Sequence, residues 1–196
     1  MKPWSALLLI FVSVQATAHG EWIMAPESTL TFSASYDQEP FFGRFKSFAV
    51  HVQFDPKAPE QARLSVTVEV ASLDTDNEDR DETLANDDWF DFVRFPQARF
   101  TAAGFRSLGG NRYSATGTLD LKGIVHQQPI TFRWITDTKN AAHIQGTAEM
   151  TGNTVVDRLL FGIGSGDWAD TDLIGAKVAV DFDVHLAAMP YNPGTK

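Results

Sequence analysis

The sequence predicts an all-β chain of eight antiparallel strands, closed into a barrel or folded as a two-sheet sandwich, with one short helical insertion between the third and fourth strands. Three observations predict it. Apolar and polar residues alternate in eight separate runs, the period-two pattern of strands with one buried face. Turn signals such as Asp55-Pro56, Gly109-Gly110-Asn111 and Asn140 separate several of the runs. One acidic stretch, residues 74–91, interrupts the alternation. The number eight favours a barrel, whose interior at that size holds one small ligand or is filled by side chains.

The N-terminus is set aside first. Lys2, the apolar run from Ala6 to Val14 and the small-x-small site Ala16-Thr17-Ala18 have the form of a secretory signal. Residues 1–18 are therefore expected to be cleaved, with cleavage after Gly20 as the alternative, and the mature chain to be exported. A single domain is expected over 19–190, with a flexible tail at 191–196. The first strand places Leu30, Phe32 and Ala34 on one face, and the second Phe48, Val50, Val52 and Phe54. Leu64, Val66, Val68 and Val70 make the third. After the acidic stretch come Phe100, Ala102 and Gly104, then Tyr113, Ala115, Gly117, Leu119 and Leu121. Ile130, Phe132 and Trp134 follow, then Ile144, Gly146, Ala148 and Met150. The last run, Val178 to Leu186, alternates most regularly. The small residues Ala34, Ala102, Gly104, Gly117, Gly146 and Ala148 on the inner face have two readings. They leave cavity volume, or they fit the taper of a packed barrel.

Composition narrows the function. The 196 residues contain no cysteine, so an exported chain of this kind relies on its core rather than on disulfides. The formal net charge of −9 becomes −10 once Lys2 is removed. Such a chain is poorly suited to nucleic acid or anionic membrane surfaces. No apolar run is long enough to span a membrane as a helix.

The acidic stretch DTDNEDRDETLANDDWFD carries nine Asp or Glu among eighteen residues. It does not form an EF-hand loop, because the sixth position is Asp79 rather than Gly and the twelfth is Ala85 rather than Glu. A helix explains it better. Asp76 or Asn77 caps the first turn, and Glu78, Asp79, Asp81 and Glu82 sit where the helix dipole favours negative charge. Leu84 then faces the protein, Arg80 pairs with neighbouring acids, and Trp89, Phe90 and Phe92 return the chain to the core. The helix plugs or flanks one end of the barrel.

Other motifs carry less. Cleavage after Ala18 would leave an N-terminal His19, whose amino group and imidazole suit copper, with His51, His126, His143 or His185 as a second ligand. His51, His126 and His185 fall on polar strand faces, which makes surface exposure the simpler reading. FGIGSGDW lacks the glycine spacing of a pyrophosphate cradle, and Ser165 is not in a nucleophile elbow. No catalytic constellation is predicted, and no metal ligand set.

Several blocks, taken together and in order, resemble the YceI-like family of periplasmic polyisoprenoid-binding proteins. Ser72-Leu73-Asp74-Thr75 with Asn77-Glu78 and Arg80-Asp81 resembles the family's S-x-x-T-x-N-x-x-R-D block. Trp89-Phe90-Asp91, Phe95-Pro96 with Phe100, Gly117-Thr118-Leu119 with Gly123, and Arg158 with Phe161-Gly162-Ile163-Gly164 resemble its later elements. Asp120 and Leu160 depart from the pattern, where Thr and Asp are usual. The resemblance runs from about Ser28 to Ala187. It implies a lipocalin-like eight-stranded barrel that carries a long isoprenoid or similar amphiphile, without catalysis and with no cofactor beyond the bound lipid. GSGDW, residues 164–168, resembles a subset associated with cytochrome b-type membrane proteins, which implies such a partner and a quinone-related ligand; a homodimer stays open. Strand alternation nominates the pocket lining as Phe32, Phe48, Val50, Val66, Val68, Phe100, Phe132, Trp134, Val180 and Phe182. Arg44, Arg133 and Arg158 are the cations nominated to meet a head group. The rival readings are a copper or redox role through His19, and a packed barrel whose acidic surface recognises a partner.

Overall fold

The computed structural model describes residues 20–137 and 146–189. The signal segment, His19, His143, Ile144 and the 191–196 tail lie outside them. Twelve strands form within the described residues: β1 (Glu21–Met24), β2 (Thr29–Tyr36), β3 (Glu39–Phe45), β4 (Phe48–Gln53), β5 (Arg63–Glu69), β6 (Leu73–Asp74), β7 (Gln97–Ala103), β8 (Arg106–Gly109), β9 (Arg112–Leu121), β10 (Ile124–Asp137), β11 (Thr147–Asp157) and β12 (Lys177–Ala188). Helix α1 (Glu78–Ala85) lies between β6 and β7.

Strands β1, β4, β5, β7, β9, β10, β11 and β12 pair antiparallel in that order, and β1 returns to β12. The result is a closed eight-stranded barrel, as expected, but with one change of membership: β1, which shows no alternating run, completes the ring, and β2, which does, lies outside it. Trp22 of β1 closes it, opposite Val52 of β4 on one side and Ala188 of β12 on the other. Strand β12 is long enough for two neighbours. It pairs with β1 through Leu186–Ala188 and with β2 through Ala179–Asp183. Strands β2, β3 and β6 then extend the wall at one end.

The alternation missed four strands, each for a local reason; β6 has only two residues, too few to show a period. The β2–β3 hairpin turns on Asp37 and Gln38, with φ of 48° and 64°. That two-residue turn usually carries Asn-Gly or Gly, so its sequence signal is absent here. Strand β1 has only four residues, and β8 is exposed along its whole length. Strand β11 also runs past Met150 to Asp157, through the polar stretch Thr151–Thr154 that hides its continuation.

Helix α1 forms as expected. Asn77 is its cap, its side chain accepting a hydrogen bond from the Arg80 backbone N–H at 2.9 Å, and Leu84 is buried. The acids are more engaged than a solvated face requires. The Asp81 carboxylate accepts from both Thr75 N–H and Thr75 Oγ1, while Asp74 and Asp76 pair with Arg44. Arg80 does not join them as predicted; its guanidinium lies 4.5 Å from the centroid of the Phe41 ring. Replacing Asn77 with alanine removes one cap bond. It is expected to cost about 1 kcal/mol and lower the melting temperature by about 2–4 °C in a calorimetric scan.

Between β6 and β7 there is no strand pairing among the described residues, and α1 with residues 86–96 covers the gap. This plug is tied down on several sides. Phe90 N–H donates to Leu84 O and Phe92 N–H to Ala85 O, folding the segment back on its own helix. Gly164 and Ser165 donate to Asp88 O. Lys122, in the turn between β9 and β10, donates from Nζ to Asp87 O at 2.7 Å and Gly162 O at 2.8 Å. One ammonium thus joins three loops, at a desolvation cost that pushes its pKa below the ordinary lysine value.

Candidate functional site

Inward-facing residues differ in how deeply they are buried, and the difference follows the barrel axis. Along β12, Leu186 and Val184 are buried, whereas Phe182, Val180 and Val178 are half-buried although they share the same face. Strand β5 repeats this from Leu64 to Val66 and Val68, and β9 from Tyr113 and Ala115 to Leu119 and Leu121. One end of the barrel is therefore solid and the other hollow.

The solid end is aromatic. Phe54 is only 1% exposed and meets Trp134 at 4.7 Å, Tyr113 at 5.0 Å and Phe105 at 5.2 Å between ring centroids. Trp22 and Phe132 complete the floor. The opposite end is roofed by Phe32, Leu73, Leu84, Trp89, Phe161, Ile163 and Ile174. Between floor and roof lies a cavity offering about 220 Å³ to the centres of water-sized molecules. Its wall is aliphatic and aromatic apart from Gln128, Thr154, Arg158 and the indole of Trp89.

Seven of the ten nominated lining residues stand on this wall: Phe32, Val50, Val66, Val68, Phe100, Val180 and Phe182. Phe132, Trp134 and Phe48 do not. Phe132 and Trp134 point inward but lie at the floor, where the aromatic cluster fills the lumen. Phe48 packs against that same cluster. Alternation separates inside from outside and carries no information about depth, so it does not distinguish Phe132 and Trp134 from residues of the cavity wall. Phe48, paired with Val68, is kept off the wall by something other than depth. The structure adds Phe41 and Phe45 of β3, together with Leu119, Leu121, Met150 and Val178. Phe41, Gly43 and Phe45 do alternate, and the missing turn signal at Asp37-Gln38 alone concealed them.

The small inner residues divide in a similar way. Ala34 lines the cavity, whereas Ala102 and Ala148 are packed in the floor cluster. Gly117 leaves no space, because a Cβ there would stand 2.4 Å from the Phe100 ring. Gly104 sits beyond the strand in a turn, with φ of 71°. Most of these residues fit the taper rather than open the barrel.

The three nominated cations take other roles. Arg44 is exposed and held by Asp74 at 2.6 Å and Asp76 at 2.9 Å. Arg133 is exposed on the outer face of β10. Arg158 reaches the cavity wall, but it is 3% exposed and its guanidinium is consumed by backbone. Its Nε donates to Gly175 O, Nη1 to Ile163 O and Gly164 O, and Nη2 to Trp168 O and Ile174 O. These five bonds stitch residues 158–175 into the roof. Burial pushes its pKa down from the ordinary arginine value, with Asp157 offsetting part of the shift, and the group stays charged. Gly164, at φ of 70°, lets its backbone approach Arg158 and Trp89 where a Cβ would clash. GSGDW is thus part of the roof, with Trp168 packed on Trp89 at 5.7 Å.

The histidines are dispersed. His51 is exposed, and His185 lies 3.8 Å from Asp183. His126, read as a surface residue, is half-buried; its Nε2 is 3.1 Å from Leu160 O and its ring meets Phe161 edge-on. Among the described residues no three His, Cys, Asp or Glu side chains are grouped to hold a metal. Among the same residues no helix is long and apolar enough to cross a membrane.

Comparison with known proteins agrees with this architecture. BcnA of Burkholderia cenocepacia superposes with a TM-score of 0.74 at 31% identity, covering 83% of this chain and 97% of that one. A polyisoprenoid-binding domain from Saccharophagus degradans superposes with a TM-score of 0.62 at 16% identity, over 86% of this chain and 98% of that one, which shows a shared fold. A UPF0312 protein of Photorhabdus laumondii is 36% identical over 83 residues, 42% of this chain and 43% of that protein. The chain thus matches about half the length of such curated relatives. The YceI-like domain model matches residues 22–186, nearly the whole of the described barrel, and the chain belongs to that family.

Proposed function

We propose that the protein is a non-catalytic carrier that holds a long isoprenoid or similar amphiphile inside the barrel, in the periplasm. The observation that carries this reading is the apolar cavity between a solid aromatic floor and a tied roof. A wall of this composition suits a hydrocarbon chain, each buried CH₂ contributing about 0.8 kcal/mol. The few polar groups on the wall match a ligand that is apolar along most of its length. The Saccharophagus degradans domain, which shares the fold and is described as polyisoprenoid-binding, supports this reading.

A quinone-related isoprenoid and a cytochrome b-type membrane protein as its donor or acceptor complete the proposal. GSGDW supports it by position, since a partner touching this stretch touches the roof and Arg158's carbonyl partners. Residues 1–18 support the periplasmic destination by their signal-like pattern.

Native mass spectrometry of the mature protein from its own periplasm, followed by organic extraction, tests the carrier. A discrete added mass released as a prenyl lipid is the expected result. A bare polypeptide that also fails to take up added prenyl lipids would reject it.

A further inference from the structure

A barrel abolishes strand edges only where every strand is paired on both sides. Near the roof, two neighbours in this barrel part. Strand β10 pairs with β9 from Ile124 to Arg133, and β11 pairs with β12 from Thr147 to Asp157. With each other, β10 and β11 pair only over Thr131–Asp137 and Thr147–Asn153. Residues 124–130 and 154–157, all among the described residues, therefore flank a seam with no backbone ladder across it.

The sequence enforces the parting. Pro129 O accepts from Thr154 Oγ1 at 2.7 Å, so the Pro129 backbone is turned toward β11. The N–H and C=O of a strand residue point to the same side, and proline has no hydrogen to give there. Side chains stand in for the ladder. Gln128 Nε2 donates to Thr154 Oγ1 and Val155 O, and His126 Nε2 donates to Leu160 O at 3.1 Å. Widening the seam breaks these side-chain bonds and no strand pairing.

The seam also lies between the cavity and solvent. Gln128 and Thr154 stand on the cavity wall, whereas Gln127, Pro129 and Val155 beside them are exposed. The outer rim is apolar: Ile124, Val125, Val155, Leu159 and Leu160 are all exposed, Val125 and Val155 at 55% each. A hydrocarbon chain crossing here meets apolar surface on both sides of the wall. The turn Arg158–Phe161 bounds the seam at its roof end.

Resting on the carrier reading, we propose that the β10–β11 seam is the gate through which the isoprenoid chain enters and leaves the barrel, with Gln128 as its latch. The chain passes sideways between the two strands while α1 and residues 86–96 stay in place. A gate acts on uptake and release alike, so it sets the rates of exchange and leaves the equilibrium affinity alone.

The protein has no cysteine, so a pair placed across the seam reacts without competition. Gln127→Cys and Val155→Cys both fall at exposed positions, and a short bis-methanethiosulfonate bridges them until it is reduced. Deuterated geranylgeraniol is loaded into the delipidated protein and chased with the unlabelled alcohol, with native mass spectrometry following the exchange. The bridge is expected to slow exchange by about tenfold or more, and reduction to restore the unbridged rate. Gln128→Leu removes both donors at similar volume. It is expected to quicken uptake and release together by about tenfold, with Kd within about threefold of wild type. The bridged pair decides the matter even if Gln128→Leu does not fold. Exchange indifferent to the bridge, or a Gln128→Leu variant in which only one rate or neither changes, would overturn the gate and leave the carrier standing. Failure of geranylgeraniol to bind wild type would overturn the carrier and the gate together.

Discussion

Replacing Arg158 with methionine is expected to lower the melting temperature by about 10 °C, the largest stability effect of any single substitution in the roof. Methionine has similar length and none of the five donors. The carbonyls of Ile163, Gly164, Trp168, Ile174 and Gly175 lose their shared partner together. The recovered solvation of the guanidinium offsets part of this, because burying that charge is itself costly. A net loss of about 3–5 kcal/mol remains, the range for removing one side of a buried charged network. Arg158→Lys keeps the charge with at most three donors and should fall between the two. The loosened roof should also release bound lipid faster. Calorimetry of the lipid-free proteins separates the stability effect from ligand loss, and a methionine variant melting within about 2 °C of wild type would show that the five bonds do not hold the roof.

The second large effect concerns binding. Ala98 stands on β7 opposite Val68, buried and facing the cavity. Phenylalanine there places a ring in empty space and displaces about four CH₂ groups of ligand. The loss is about 3 kcal/mol, or about 100-fold in affinity, with the fold retained. Ala102 lies four residues along the same strand and on the same face, but it is packed in the floor. The same change at Ala102 is expected to destabilise by about 1–3 kcal/mol or more, because the ring has nowhere to go. Two substitutions of one chemistry, about 13 Å apart along a strand, thus report on the two ends of the barrel. Undiminished prenyl-lipid binding by Ala98→Phe would place the ligand elsewhere, and unfolding of that variant would mean that the space is not available to a ring.

The roof and the floor solve different problems with different chemistry. The floor is sealed by apolar rings that need no partners beyond one another. The roof is made of loops, whose backbone polar groups must be satisfied wherever they are buried. Arg158 and Lys122 do this with charged donors that reach several carbonyls at once. Opening the roof therefore means breaking these charged contacts as well as parting the apolar cluster beneath them, whereas opening the floor means unpacking apolar side chains alone.

The sequence by itself determined the class of fold, the inside and outside faces of eight strands, and the place and cap region of the helix. It could do so because strand alternation and helix capping are local, written into residues next to or near one another in the chain. Arg158 stood out in the sequence as part of a family-like block and as a candidate cation for a head group, yet nothing local told that five carbonyls would surround it. Only the tertiary structure decided which inward residues meet a cavity and which meet a packed floor. Phe100 and Trp134 are equivalent in alternation and differ only in height along the barrel, a quantity set by strand tilt, register and the aromatic cluster on other strands. The parted β10–β11 seam belongs to the same class: Pro129 is visible in the sequence, but which strand its backbone faces is decided by register across the barrel.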